Sequence, residues 1–178
     1  MSNPDDRSKQ YRVRIEKDYT VFCAGHFITY DGHECEPLHG HNYRAAVAFE
    51  GPLDENAYVL DFTRLKRALR SVVDRLDHRM LLPTKSALIR VTKSGTEVQA
   101  IYRDKRYVFP LGDVVLLPIP NTTAEMLAWW ITQELRQGLG TLPAGAEAIE
   151  VEVDESSGQR AFYREPLGEG RPPGPERP

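Results

Sequence analysis

His26, His39 and His41 are three of the five histidines in the chain, and the last two form the run His39-Gly40-His41. In an extended segment alternate side chains share a face, so His39 and His41 project together, with Gly40 permitting close approach between them. Two imidazoles presented in this way can grip one metal ion. A third from an adjacent strand, His26, would complete a neutral three-nitrogen set with an open fourth position, as in a catalytic Zn²⁺ site. Cys35 stands shortly before the pair. The spacing matches no zinc-finger pattern and the strand pairing is itself an inference, so surface or core histidines stay open as the alternative at this level.

Alternation of apolar and polar residues predicts a strand over residues 11–16 and a second over 21–28, which would carry His26. A loop over 29–37 then leads to the histidine pair. A third strand over 42–50 ends at the turn signal Gly51-Pro52. Asp61 offers an N-cap, and Leu65, Ala68, Leu69, Val72, Val73 and Leu76 recur at helical spacing. A second helix is expected to start at Thr122 or Thr123, with Thr122 and Glu125 at capping-box spacing and Ala124, Leu127, Ala128, Ile131 and Leu135 on its apolar face. Trp129 and Trp130 are expected to pack there too. Closing strands over 147–154 and 160–164 flank Ser156-Ser157-Gly158 as a hairpin that presents Glu155 near its turn.

With 178 residues the chain falls in the single-domain range and is long enough to bury a sizeable core. A net charge of only −3 excludes a globally basic nucleic-acid surface, while leaving room for a local cationic patch toward a phosphorylated substrate. No apolar run approaches a membrane span and the polar start lacks a secretory hydrophobic region, so the cytoplasm is the expected location. Cys23 and Cys35 could in principle pair, but a reducing compartment and a nearby metal site favour free thiols. The Pro- and Gly-rich stretch 165–178 reads as a disordered tail after a single domain over 1–164.

Six ordered motifs carry a family resemblance. They are Phe22-Cys23-Ala24-Gly25-His26, Cys35-Glu36-Pro37-Leu38-His39-Gly40-His41-Asn42-Tyr43, Leu60-Asp61-Phe62-Thr63-Arg64-Leu65-Lys66, Leu76-Asp77-His78-Arg79-Met80-Leu81, Asn121-Thr122-Thr123-Ala124-Glu125 and Val153-Asp154-Glu155-Ser156. Over roughly residues 10–164 the chain resembles the 6-pyruvoyltetrahydropterin synthase and 6-carboxytetrahydropterin synthase family. The resemblance implies an α+β tunnelling fold, in which an antiparallel four-stranded sheet carries two helices on one face and subunits join their sheets into a barrel. Unpaired edge strands make such closure physically reasonable as well. It further implies a homo-oligomer, typically a hexamer, a pterin triphosphate substrate, and Zn²⁺ held by His26, His39 and His41.

By the same resemblance Cys35 is the proton-abstracting base, and a neighbouring cation would lower its thiol pKa toward neutrality. Asp77 and His78 match the catalytic Asp-His pair, which the family places across a subunit boundary from the cysteine; as neighbours on an extended chain they need not bond each other. Glu155 matches the carboxylate that accepts two hydrogen bonds from the pterin's guanidine-like edge. Glu125 reads as structural, and Cys23 and His33 have no assigned role.

The short gap between Cys35 and His39 favours the bacterial carboxytetrahydropterin branch. Glu36 resembles the glutamate of a subgroup associated with a different cleavage, giving 6-hydroxymethyldihydropterin for folate synthesis. The expected reaction is therefore a Zn-dependent lyase conversion of 7,8-dihydroneopterin triphosphate to 6-carboxy-5,6,7,8-tetrahydropterin for queuosine-type deazapurine synthesis. The alternatives are formation of 6-pyruvoyltetrahydropterin or of 6-hydroxymethyldihydropterin, or a pterin-binding protein without turnover. Residues 84–113 depart from shorter family members and read as two successive inserted β-hairpins, either an elaboration or a lid or interface.

Overall fold

A computed structural model describes residues 10–167. Its organising element is a thirteen-residue strand, β5 (His39–Gly51), reached through β1 (Tyr11–Ile15), β2 (Val21–His26), β3 (Thr29–Tyr30) and β4 (Glu34–Cys35). One face of β5 carries His39, His41, Tyr43, Ala45, Val47 and Phe49 by its period of two. The last four are fully buried, whereas His39 and His41 are only partly covered. The same stripe is thus core at one end and candidate site at the other.

β5 has three partners. β11 (Ala148–Ser156) runs antiparallel along one side. β1 and β2 share the other, β1 opposite residues 47–51 and β2 opposite residues 39–44. The chain switches between them through a 3-10 turn, Asp18–Thr20, where the buried Thr20 hydroxyl donates to the Ala45 carbonyl at 2.8 Å. That bond satisfies a β5 carbonyl where the ladder passes from one partner to the next.

The expected four-stranded antiparallel sheet corresponds to β2, β5, β11 and β12 (Gln159–Pro166), but the observed sheet is larger and mixed. It has seven strands in the order β10-β6-β2-β5-β11-β12, with β1 off this path. β6 (Arg79–Pro83) pairs parallel with both β2 and β10 (Val114–Leu117). These parallel partners lie far apart in sequence, so no hairpin signal announces them.

Both helices lie against the face bearing Phe22, Tyr43, Val47, Phe49, Ile149, Val151 and Val153. Helix α1 (Phe62–Val73) is capped by Asp61, whose side chain accepts from Thr63 N, and it buries Leu65, Leu69, Val72 and Val73. Helix α2 (Ala124–Leu139) buries Leu127, Ala128, Trp130, Ile131 and Leu135. Its N-cap is Thr123, accepting from Met126 N, so the expected Thr122–Glu125 capping box does not form. Thr122 is buried and donates its hydroxyl to the Phe27 carbonyl.

The opposite face of the sheet is ionic. Arg12 bridges Glu50 and Glu150, Arg164 pairs with Glu50, and Arg14 and Arg160 meet at Glu152, which is only 4% exposed. A carboxylate this buried requires partners of opposite charge, and it has two.

Residues 84–113 contain the two successive hairpins expected, β7 (Arg90–Ser94), β8 (Glu97–Tyr102) and β9 (Lys105–Pro110), in a separate three-stranded sheet. It forms its own cluster, in which Ile89, Val98, Ala100 and Tyr102 pack with Phe27, Met80 and Leu82. Residues 29–37 are not simply a loop, since Thr29 pairs with Cys35 and Tyr30 with Glu34. The turn between them takes left-handed backbone at Asp31 and Gly32. The expected tail also begins too early: Glu165 and Pro166 belong to β12, and Glu165 is held by Gln133 and Arg136. Residues 168–178 lie outside the described residues.

Candidate active site

The β2–β5 register sets His26 directly opposite His39, and period two then brings His41 alongside. Ring centroids are 4.7 Å apart for His26 and His39, 4.8 Å for His39 and His41, and 5.2 Å for His26 and His41. One ring nitrogen from each lies within 4.8 Å of the others. Gly40 has a role different from that expected: a Cβ there would stand 3.1 Å from the Ala24 carbonyl oxygen, so the glycine lets β2 and β5 close on each other.

Backbone carbonyls orient two of the rings. His26 Nδ1 lies 2.9 Å from the Thr122 oxygen and His39 Nδ1 lies 2.8 Å from the Pro37 oxygen. With Nδ1–H donating in each case, the lone pairs sit on the Nε2 atoms, which face one another at 3.2 Å. Two such lone pairs repel unless a cation lies between them, so this donor set fits a metal ion. Burial of His26 pushes its pKa down, against the hydrogen bond to Thr122 and the charge of Glu155, and favours the neutral form, whose lone pair is able to accept a metal ion.

Glu155 shares the face of Val151 and Val153 by alternation, and the ladder irregularity between Asp154 and Ser156 lies at this point. Its Oε1 is 3.5 Å from His26 Nε2, 3.8 Å from His41 Nε2 and 3.2 Å from the Tyr43 hydroxyl, which donates to it. Tyr43 is fully buried, and burial first and Glu155 second push its pKa far up, so it stays a hydroxyl. Glu36 also approaches the triad, its Oε2 3.9 Å from His39 Nε2. Cys35 is half-buried, and its thiol donates to the Glu36 carbonyl at 3.5 Å. Burial pushes the thiol pKa up, Lys105 pulls it down, and Glu36 pushes it up again.

Asp77 and His78 follow α1. His78 adopts a left-handed backbone, φ 56°, and its Nδ1 lies 3.0 Å from Asp77 Oδ1. The two side chains therefore do meet, because the extended conformation assumed from sequence is absent here. Cys23 holds them through its backbone: its N–H donates to Asp77 Oδ1 at 2.8 Å and its carbonyl accepts from His78 N at 2.6 Å. These contacts, the Cys23 bond foremost, hold the Asp77 carboxyl below its ordinary pKa. No hydrogen bond or ion pair among the described residues joins Asp77 or His78 to Cys35.

The family model for 6-pyruvoyl tetrahydropterin synthase matches residues 14–166. The chain belongs to the 6-pyruvoyl tetrahydropterin synthase family. A Methanocaldococcus jannaschii relative with the provisional name 6-carboxy-5,6,7,8-tetrahydropterin synthase is 34% identical over 149 residues, covering 82% of this chain and 90% of the relative. A dihydroneopterin monophosphate aldolase from Pyrococcus furiosus is 42% identical over 60 residues, 34% of this chain and 50% of that protein. A Plasmodium vivax 6-pyruvoyltetrahydropterin synthase, solved with a catalytic glutamate replaced by alanine, superposes with a TM-score of 0.83 at 29% identity. That match covers 89% of this chain and 99% of the other. The fold is accordingly the α+β fold of a pterin-synthase family of enzymes, with two helices on a curled sheet.

Within this family frame, several residues at the site were not singled out from sequence. Tyr43 was legible in principle, as the next residue on the His39–His41 face. Thr122 and Cys23 act through main-chain atoms, which leave no side-chain signature. Among the described residues, no helix is long and apolar enough to cross a membrane.

Proposed function

We propose that the chain is a zinc-dependent lyase that converts 7,8-dihydroneopterin triphosphate to 6-carboxy-5,6,7,8-tetrahydropterin, with loss of acetaldehyde and triphosphate, for queuosine-type deazapurine synthesis. The observation that carries the reading is the triad of His26, His39 and His41 beside Glu155 and Glu36. The three histidines would hold Zn²⁺, which when bound would polarise the vicinal hydroxyls of the substrate side chain. Glu155 would bind the guanidine-like edge of the pterin and fix its orientation, steadied by the Tyr43 hydroxyl. Cys35 would take the proton from the side-chain carbon as thiolate. The Asp77–His78 pair would hold and return a proton at the His78 ring, with Asp77 stabilising the charged imidazole.

Because no hydrogen bond or ion pair among the described residues joins that pair to Cys35, the complete site is proposed to form between subunits of a closed homo-oligomer, a hexamer by family likeness. Among the described residues β12 ends the strand order of the sheet, and this position and its exposed Phe162 support the reading. Both thiols are free, in keeping with a cytoplasmic location.

A specific observation favours a second activity. Glu36 lies against His39, and the relatives include an aldolase of dihydroneopterin monophosphate and a synthase with a catalytic glutamate. Glu36 is proposed to support cleavage to 6-hydroxymethyldihydropterin. Incubation of the zinc-loaded protein with 7,8-dihydroneopterin triphosphate, followed by mass identification of products, tests both. Carboxytetrahydropterin as main product is the expected outcome, and an unchanged substrate would refute the lyase assignment.

A further inference from the structure

The hairpin joining β8 to β9 places Tyr102 and Lys105 directly opposite each other. Arg103 takes left-handed backbone in the turn, and its guanidinium lies 5.3 Å from the Tyr102 ring centroid. From this one cross-strand pair two donors reach the segment that carries Cys35. The Tyr102 hydroxyl donates to the His33 carbonyl, and Lys105 Nζ donates to the Cys35 carbonyl at 3.3 Å. The inserted sheet backs the same segment with apolar contact: Tyr107 lies 5.0 Å from the Phe27 ring, and Cys35 packs on the cluster of Ile89, Val98, Ala100 and Tyr102.

We infer that the inserted sheet is a clamp on the Cys35 hairpin and that Lys105 is its positioning residue, fixing the thiol's backbone while placing a cation beside it. The inference rests on the proposal that Cys35 is the reacting thiol. The charged groups acting on the Cys35 thiol are Lys105 from β9 and Glu36 from the following loop, which oppose each other; the nearby His33 and Glu34 side chains face one another at 3.2 Å. Lys105 is thus the cation set against burial and Glu36. Its side chain is exposed, so its replacement leaves the core of the inserted sheet in place.

Alkylation of the zinc-loaded full chain by iodoacetamide reads this directly, and needs no substrate. Cys35 and Cys23 are resolved by fragment-ion mass spectrometry, with the exposed Cys23 as internal reference. Lys105→Met is expected to slow Cys35 alkylation about two- to fivefold at pH 7, the range for an exposed charge interaction, and to move its pH midpoint upward. Lys105→Arg should restore the parental rate and midpoint, and Cys23 should react equally in all three proteins. A Lys105→Met protein whose Cys35 reacts at or above the parental rate with an unmoved midpoint overturns the inference. So does a Lys105→Arg protein that reacts like Lys105→Met, because the cation would then not be the active element. Failure of the lyase assignment alone would appear instead as parental turnover without carboxytetrahydropterin, with the alkylation pattern unaffected.

Discussion

His26, His39 and His41 stand on a continuous ladder of main-chain hydrogen bonds between β2 and β5, whereas Cys35 ends a hairpin of two-residue strands, with Glu36 just after it, gripped from outside by Tyr102 and Lys105. The triad needs its three nitrogens in one small volume, and a register between central strands supplies that at no cost to any side chain. The hairpin has only a short ladder, and each added side-chain bond nets about 1 kcal/mol. One part of the site is therefore positioned by the fold itself and the other by an elaboration of it. A substitution in the first should be felt as lost binding, and one in the second as altered chemistry.

The largest effect should come from the ladder-held half. His39→Ala is expected to lower zinc affinity by more than about 100-fold while β5 and its partners persist. Metal analysis beside far-ultraviolet circular dichroism checks this, and full zinc occupancy in the variant would remove the triad assignment. The hairpin-held half should give the next effect without any loss of metal. Cys35→Ala should lower carboxytetrahydropterin formation by at least ~10²-fold, the lower end for removing a general base, with zinc retained. In that background 6-hydroxymethyldihydropterin should persist, and Glu36→Gln should suppress it selectively, as product analysis across the two variants would show.

A third experiment asks whether the Asp77–His78 pair belongs to a site completed by a neighbour. Cys35→Ala and His78→Ala proteins, each deficient in carboxytetrahydropterin formation, should regain part of it when mixed under conditions that permit subunit exchange. A stable, fully active monomer in light scattering would contradict that arrangement.

The smallest effect concerns stability. The Asp77 carboxyl has a folded-state pKa below its ordinary 3.8, chiefly through Cys23 N–H and then His78. Its contribution is therefore complete above that ordinary value and lost as pH falls through the lower, folded one. Asp77→Asn should be less stable than the parent at neutral pH, and the gap should close on acidification below about pH 4. Denaturant midpoints across that range measure it, and a gap that widens toward acid would contradict the assigned bond.

Local pattern in the chain accounts for much of the fold and part of the site. Asp61 caps α1 as its type and position require, and the apolar recurrence from Leu65 to Val73 follows the buried face. Alternation along residues 39–49 was sufficient to put both histidines of the pair on one face, since period two is a property of the strand alone. Turn residues in Ser156-Ser157-Gly158 marked the hairpin they occupy. Capping illustrates the limit of such patterns. Thr122 and Thr123 are equal candidates by residue type, and only the buried bond from Thr122 to Phe27 leaves Thr123 to cap α2.

What sequence alone determined was the set of chemical groups and their local faces, because side-chain period, caps and turns depend on residues a few positions apart. Which groups meet was decided by tertiary structure. The β2–β5 register brings His26 to His39, a parallel β6 beside β2 brings Asp77 and His78 to the Cys23 backbone, and the inserted sheet brings Lys105 to Cys35. Such meetings depend on pairings between distant segments and on backbone carbonyls and N–H groups. Every residue but proline carries both, so no residue type announces them.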